Sequence, residues 1–428
     1  MRVGILGGGL AGLTIAANLK HPFEVLEQNR ECGGLCRSFS EEGFTFDIGG
    51  HIFFSRNTKI LGDMVSLLGP NRVKGRRNNK ISFKGKFVKY PFENGLDELP
   101  KEDTFECLYH YIRNQYPEKP ANFEEWIYHT FGRGIAEKYM IPYNRKIWNT
   151  DLRKMSLHWV EGRVPKPPVE DVIRSAIGIK TEGYKEQVNF DYPRRGGISA
   201  IIRSLENAAN GTITRDFCVS QVRREGSSWA VSDGRDTRRF DRIISAMPLN
   251  DLMHCLDGVP KKIISCADAL RYNSLILVMI GLRSEPKDYT AIYFPEKELL
   301  YNRVCFMDTF SSENSPPGHS GVIAEITYNE GDRTSGLSDE EVISHTISTL
   351  ERQGVISKKR VVCSKALRFK YAYVVYDLDY PDKIRMLKSY AADRGIELCG
   401  RFGEFEYLNM DACFERAKNM AGKINSIS

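Results

Sequence analysis

The first residues able to do chemistry are glycines. In "VGILGGGLAGLTIAANL" a β-branched run leads into Gly7, Gly9 and Gly12 at G-x-G-x-x-G spacing, and a helical pattern follows. Each glycine answers a separate need: a tight turn, close approach of backbone to a pyrophosphate, and packing of helix on sheet. A second strand pattern, "FEVLEQ", carries Glu27, where a carboxylate can hold an adenosine ribose. Two further glycine pairs follow. Gly33 and Gly34 in "ECGGLCRSF" lay more bare backbone along the same cofactor, as a long dinucleotide spread over much protein requires. Gly49 and Gly50 in "DIGGHIFFS" precede His51, which taken alone reads as a satisfied core histidine. Spacing by itself establishes a dinucleotide site and no more.

The elements that must position these residues are legible in outline. A chain of 428 residues exceeds the size of one ordinary core, so two lobes with a cleft between them are expected. Hydrophobic residues at 41% and charged residues at 27% fit a globular protein and exclude a disordered one. A formal charge of +6 is too small over this length to argue for nucleic acid, and suits an anionic small molecule. The basic run from Arg72 to Lys89 reads as a solvated face, with "ISFKGKFVKY" a hairpin turning at Lys84-Gly85. The ten cysteines form no zinc pattern, so no metal is expected; they read as reduced thiols of a cytoplasmic protein. "LILVMIGL" is far shorter than the roughly 18 residues of a membrane span and reads as a buried strand, as does "GVIAEITYN". "QVRREGSSWAVSDG" reads as a hairpin and "FDRIISAMPL" as a strand ending at Ala246. Asn122 and Glu125 make a capping pair for a helix whose apolar stripe, Phe123, Trp126, Ile127 and Phe131, reads as core. A C-terminal helix with Phe414, Ala417, Ala421 and Ile424 on one face is expected to be capped by Asp411.

The G-x-G-x-x-G, Glu27, "GGLCRS", "DIGGH", "ISAMP" and "GRFGEFEYLNMD" resemble the FAD-dependent enzymes of the amine oxidase and glutathione-reductase-like class. "GGHIFFS", "KYPFENGLDELPKE", "FEEWIYHTFGRGIAEKYMIPYNRKIW", "KMSLHWVEGRV", "YFPEKELLYNR" and "RFKYAYVVYD" narrow the resemblance to the UDP-galactopyranose mutases over nearly the whole chain. It implies an α/β fold: a Rossmann-type FAD domain, a helical insertion and a second, antiparallel-sheet substrate domain. The expected boundaries are 1–75, 190–255 and 390–428 for the discontinuous FAD domain, 95–178 for the insertion and 256–388 for the substrate domain.

The resemblance also implies chemistry. N5 of reduced FAD attacks the anomeric carbon of a nucleotide sugar, expels the diphosphate, and lets the sugar reclose as a furanose, as in galactofuranose supply for cell-surface polysaccharide; NAD(P)H is the implied reductant. The glycine pair would leave bare backbone beside the flavin for a sugar to approach. The implied catalytic set is His51 at the flavin edge, Arg163 and Arg303 on the diphosphate, and Tyr373 and Tyr407 on its phosphates. Tyr90, Phe92, Glu93, Asn144, Trp148 and Tyr293 would bind substrate; Gly34, Leu35, Val222, Gly400, Arg401, Met410 and Asp411 would join the earlier glycines and Glu27 around FAD.

The chain departs from the eukaryotic-type pattern twice, with Glu93 in place of a glutamine near the base and Phe310 in place of a phosphate-contacting tyrosine. An ionised carboxylate cannot donate, which puts uracil in doubt and raises guanine. The segment Glu296 to Arg303 is expected to be a lid. An oxidase or dehydrogenase of amine oxidase type, such as a porphyrinogen oxidase or desaturase, is the alternative enzyme, and a non-catalytic nucleotide-sugar binder the alternative class. The partner is a nucleotide-diphosphate sugar, with no nucleic acid and no membrane span, and a homo-oligomer is left open.

Overall fold

The computed structural model describes residues 1–427 apart from 117–118, 161–162, 165, 184–187 and 286, so the "VEGRV" stretch around Arg163 lies partly outside the described residues. Its N-terminal unit follows from the glycine spacing. Strand Val3–Leu6 is buried throughout, the chain turns at Gly7 with φ 103°, and helix Leu10–Asn18 begins at once. A Cβ on Gly12 would lie 2.0 Å from the Gly7 carbonyl oxygen, so helix and turn close together only on glycine. Phe23–Leu26 pairs in parallel with Val3–Leu6, and Arg242–Ser245, Ile396–Leu398 and Thr212–Thr214 complete a parallel five-stranded sheet. These strands are short apolar runs, as a covered parallel sheet demands. Leu10, Leu13, Ile201, Leu205, Phe414 and Ala417 close one core between this sheet and the helices Leu10–Asn18, Ser199–Ala208 and Met410–Asn425.

A second sheet of seven strands runs Val361–Val375, Arg271–Leu282, Ser320–Tyr328, Arg303–Phe306, Ala291–Tyr293, Asn79–Phe83 and Lys86–Lys89. All its pairs are antiparallel except Ala291–Tyr293 with Asn79–Phe83. The "LILVMIGL" run is buried within it, inside Arg271–Leu282. The expected hairpin turns at Lys84 (φ 48°) and Gly85 (φ 78°), two left-handed residues that match the twist of the strands. "QVRREGSSWAVSDG" likewise forms its hairpin, Gln221–Glu225 with Ser228–Ser232.

The insertion is helical. Asn122 accepts a hydrogen bond from the Glu125 N–H at 3.0 Å, while Glu125 reaches back to the Ala121 N–H at 2.8 Å, and the helix Phe123–Ile135 starts there. It continues through a π turn, Ala136–Met140, into Ile141–Trp148. The widened turn matters for function, because Tyr139, Met140, Tyr143, Asn144, Ile147 and Trp148 all emerge towards one cavity. The fold is therefore α/β, with a Rossmann-type unit and a second, largely antiparallel sheet. One local expectation fails: Asn409, not Asp411, precedes the last helix, and Asp411 sits inside its first turn, where a carboxylate still favours the positive helix end. Among the described residues no helix is long and apolar enough to cross a membrane.

Candidate functional site

A cavity of about 1260 Å³ runs from the glycine-rich turn to the seven-stranded sheet. That exceeds the space of an ordinary small-ligand pocket and has room for a dinucleotide with a second ligand beside it. Its first end is made of backbone. Gly7, Gly9, Leu10 and Ala11 line it opposite Gly33, Gly34 and Leu35. A Cβ on Gly34 would come within 3.5 Å of the Gly9 Cα, so the two glycine stretches frame a channel that side chains would fill. Glu27 is buried, and its carboxylate accepts from the Gly8 N–H at 2.8 Å and the Asn29 N–H at 2.9 Å, fixing the turn and facing the cavity together. Gly400, Arg401, Met410 and Asp411 complete this end. The donors, the absence of side chains and the helix N-terminus suit the pyrophosphate and ribose of FAD.

The middle of the cavity is where charge is managed. Asp47 is fully buried and accepts from Tyr192 Oη at 2.6 Å, Ser38 Oγ at 2.7 Å and the Ile198 N–H at 3.0 Å, anchoring the turn that follows. Burial outweighs those donors and pushes its carboxyl up to about 6. Gly49 then takes φ 87°, and His51 lies against the cavity. Burial, with the Arg401 and Arg303 guanidiniums nearby, pushes the His51 imidazole down to about 3, so it is neutral at physiological pH; its Nδ1 has no partner among the described residues.

Beside it Arg303 donates to Glu325 through Nε (2.9 Å) and Nη2 (2.8 Å). Glu325 is 1% exposed and also accepts from the Gly50 N–H at 3.2 Å and the Tyr373 hydroxyl at 3.4 Å. This buried, bidentate pair holds Arg303 well above its usual pKa against the penalty of burial, and it is electrically balanced.

The far end is made of side chains. The Arg163 guanidinium lies 4.5 Å from the Tyr407 ring centre and Arg401 lies 4.4 Å from it, so two cations meet one aromatic face system. Arg401 donates to the Ala372 and Leu408 carbonyls, while Tyr407 and Tyr373 sit 5.8 Å apart. Trp148 stands edge-on to both, and its indole N–H donates to Asn144 Oδ1 at 3.2 Å. Burial raises the Tyr373 phenol far above its ordinary value, so its hydroxyl stays a donor. Tyr90 stacks on Tyr293 at 4.7 Å, Tyr143 meets Tyr293 edge-on at 5.5 Å, and Glu93 is buried beside them with a carboxyl that burial pushes up to about 7.

The structure thus gathers nearly all the expected site residues in one cavity, with instructive exceptions. Phe92 is fully buried between Phe83 and Tyr139 and does not line it. Val222 is also fully buried, in a strand that bridges to Leu256; Phe217, Cys218 and Val219 reach the cavity instead. Gly12 acts by packing rather than by lining. Phe310 belongs to a core with Phe190 and Tyr192. The expected lid is pinned: Leu299 and Tyr301 are buried, Glu296 accepts from the Ser82 hydroxyl, Lys146 donates to the Phe294 and Glu296 carbonyls, and Arg303 begins a paired strand.

The glycine pair also differs from expectation, because a Cβ on Gly50 would point at Cys305 Sγ, 2.9 Å away, and not into open space. Sequence reasoning missed Glu325, Tyr139, Tyr143 and Arg77. Arg77, assigned to a solvated face, is half-buried over the Phe54 ring at 4.9 Å and lines the cavity. The tyrosines had a readable signal, the i, i+4 repeat 139, 143, 147 in the segment that follows the expected helix.

Comparison with known proteins fits this geometry. The chain superposes over its whole length on 96% of a crystal structure of reduced UDP-galactopyranose mutase, with a TM-score of 0.91 and 26% identity. A protein of Exiguobacterium sp. 255-15, provisionally assigned as a protoporphyrinogen oxidase, shares the fold with a TM-score of 0.78 at 18% identity, covering 99% of this chain and 98% of that one. Among curated proteins, the inactive all-trans-retinol 13,14-reductase of Danio rerio is 39% identical over 69 residues, 14% of this chain and 11% of that protein, so the match spans only a small part of the relative. Residues 10–424 match the family of flavin-containing amine oxidoreductases, nearly the full chain, and to that family the protein belongs.

Proposed function

We propose that the protein is a flavin-dependent mutase interconverting the pyranose and furanose forms of a nucleotide-diphosphate sugar. The observation that carries this reading is the far end of the cavity, where Arg163 and Arg401 converge on Tyr407 beside Tyr373. Guanidinium and phenol donors in a desolvated pocket suit a diphosphate that gathers charge as it leaves carbon. The likeness to reduced UDP-galactopyranose mutase supports the same reading. FAD, when bound and reduced, supplies the nucleophile for the anomeric carbon, and NAD(P)H is the reductant we assign to it.

The chain's own residues divide the remaining work. Arg163 takes the diphosphate charge directly. Arg401 ties the loop before the last helix to strand Val361–Val375 and presents its cation to the same region. Tyr407 donates from a rigid ring, Tyr373 adds a second ring to that wall while its one hydroxyl proton goes to Glu325, Trp148 walls the sugar side, and neutral His51 offers a hydrogen bond without adding charge. Arg303, engaged by Glu325, holds the carboxylate that fixes the Gly50 N–H and the Tyr373 hydroxyl. An oxidase of the same family would want an apolar chamber at this end rather than these donors.

The test is to incubate reduced and oxidised holoprotein anaerobically with a panel of nucleotide sugars and to separate pyranose from furanose products by chromatography. Conversion by the reduced protein alone is expected, with Arg163→Ala slower by about 100-fold at unchanged flavin content. Absence of conversion with every donor, together with oxygen consumption on amine or porphyrinogen substrates, would replace the mutase by the oxidase.

A further inference from the structure

Among the described acids that line the cavity and have no part in the mechanism, Asp251 and Glu415 accept from Tyr371 and Asn57, and Glu93 stands apart from both. It is 4% exposed, lies on the short turn Phe92–Asn94, faces the cavity, and its carboxyl makes no hydrogen bond with any described side chain or with any N–H but its own. A carboxyl that faces the cavity with no donor among the described side chains is open to a ligand that supplies one. The same cavity offers flat surfaces: Tyr90 on Tyr293, Tyr143 against Tyr293, and Tyr139 stacked on Tyr143 at 5.4 Å and on Phe92, the residue before Glu93, at 5.2 Å. Tyr139, in the π turn, and Trp148, at the end of the helix that follows, lie nine residues apart on one continuous helical run. A rise of 1.5 Å per residue puts them roughly 13 Å apart. Trp148 touches Tyr373 and Tyr407, so this span joins the diphosphate end to the Glu93 end and can lay out a nucleoside diphosphate.

We propose, resting on the nucleotide-sugar reading above, that Glu93 selects the base and that the base is guanine. A carboxylate presents two acceptors side by side, and guanine presents N1–H and an N2 amino hydrogen side by side, so the two meet in a bidentate pair with no protein cation required. Uracil has one N–H between two carbonyl oxygens, which an ionised carboxylate repels. Adenine and cytosine set a donor beside an acceptor. All three fit only the protonated acid, whereas guanine alone fits the ionised one.

The two states are separable by pH. Since burial pushes the Glu93 carboxyl up to about 7, a ligand that needs the ionised form binds more tightly as pH rises through 7, and one that needs the protonated form binds more weakly. The experiment is calorimetric titration of the holoprotein with GDP and with UDP from about pH 6 to about pH 8, repeated on Glu93→Gln. The expected result is a GDP preference that grows with pH. In Glu93→Gln the GDP affinity falls roughly 10- to 100-fold, UDP gains, and the pH dependence disappears. Tighter UDP than GDP binding at the upper pH, or a GDP to UDP ratio unmoved in Glu93→Gln, overturns the assignment while leaving a nucleotide-sugar site in place. Failure of both nucleotides to bind would remove the nucleotide-sugar reading together with it.

Discussion

The two ends of the cavity are built by different means. At the flavin end the wall is backbone from the first fifty residues and the last thirty or so, with Gly7, Gly9 and Gly34 leaving the room and the Gly8 N–H locked onto Glu27. At the substrate end the wall is side chain. Arg163, Trp148, Glu325, Tyr373 and Tyr407 come from distant segments, and each is held by a partner that is itself in the site. A backbone wall fails by steric overlap, and a side-chain wall fails by an unpaired charge. The two modes predict different variant behaviour at each end.

The sharpest break at the flavin end is Gly12→Ala. Its Cβ would overlap the Gly7 carbonyl oxygen, a backbone atom that cannot turn aside, and the turn that receives the pyrophosphate would open. We expect purified Gly12→Ala to lack the yellow flavin absorbance entirely. The corresponding break at the substrate end is Glu325→Ala. It strands the half-buried Arg303 cation and frees the Gly50 N–H and the Tyr373 hydroxyl together. Breaking a buried pair on one side costs about 3–5 kcal/mol, which chemical denaturation would register. The double variant Arg303→Met/Glu325→Leu should recover most of that stability and still turn over poorly, since the fixed hydroxyl is lost. If Glu325→Ala is as stable as the parent, the pair does not carry this end.

Between the ends sits Asp47, whose effect is on pH. Its carboxyl is pushed up to about 6 by burial, so the folded chain holds the proton more tightly than the unfolded one. The contribution therefore favours the fold fully below the ordinary carboxylate value and is lost as pH rises through about 6. Converted at 1.36 kcal/mol per unit, it amounts to about 3 kcal/mol between the two limits. Asp47→Asn, which mimics the protonated acid, should flatten that slope in a comparison of thermal unfolding at acidic and neutral pH. An unchanged slope would place the pH dependence elsewhere.

These differences also explain what could be read in the chain before its structure. The flavin end was legible because glycine spacing records backbone geometry directly: Gly7 turns the chain at positive φ, Gly12 packs against that turn, and Gly9, Glu27 and Gly34 line the cavity. The substrate end was legible only as motif resemblance, which located Arg163, Tyr373 and Tyr407 in the cavity but could not say what they touch. Glu325 escaped because it lies in "GVIAEITYN", an apolar strand run where an acid reads as an interruption; its meaning comes from Arg303 on the neighbouring strand, and cross-strand register is not written in either segment alone. Phe92 and Val222 turn into the core while Glu93 and Val219 line the cavity, because a one-residue shift on a turn or a three-residue shift along an extended segment moves a side chain from one to the other.

Gly50 brings the two modes into one residue and gives the smallest effect. Its φ is not in the left-handed region, so alanine meets no backbone strain there, unlike at Gly49. The added Cβ would meet Cys305 Sγ at 2.9 Å, with Phe310 Cζ at 3.5 Å and Arg303 Cζ at 3.9 Å behind it. One short side chain must give way, an overpacking cost of about 1 kcal/mol. If the glycine exists to make room for that wall, Gly50→Ala/Cys305→Ala should restore both stability and nucleotide-sugar affinity. If it exists to let a ligand approach, the double variant should regain stability while its affinity stays low. Unfolding midpoint and ligand affinity measured on the same preparations separate the two, and the distances favour recovery of both, because the missing side chain points away from the cavity and towards the strand that carries Arg303.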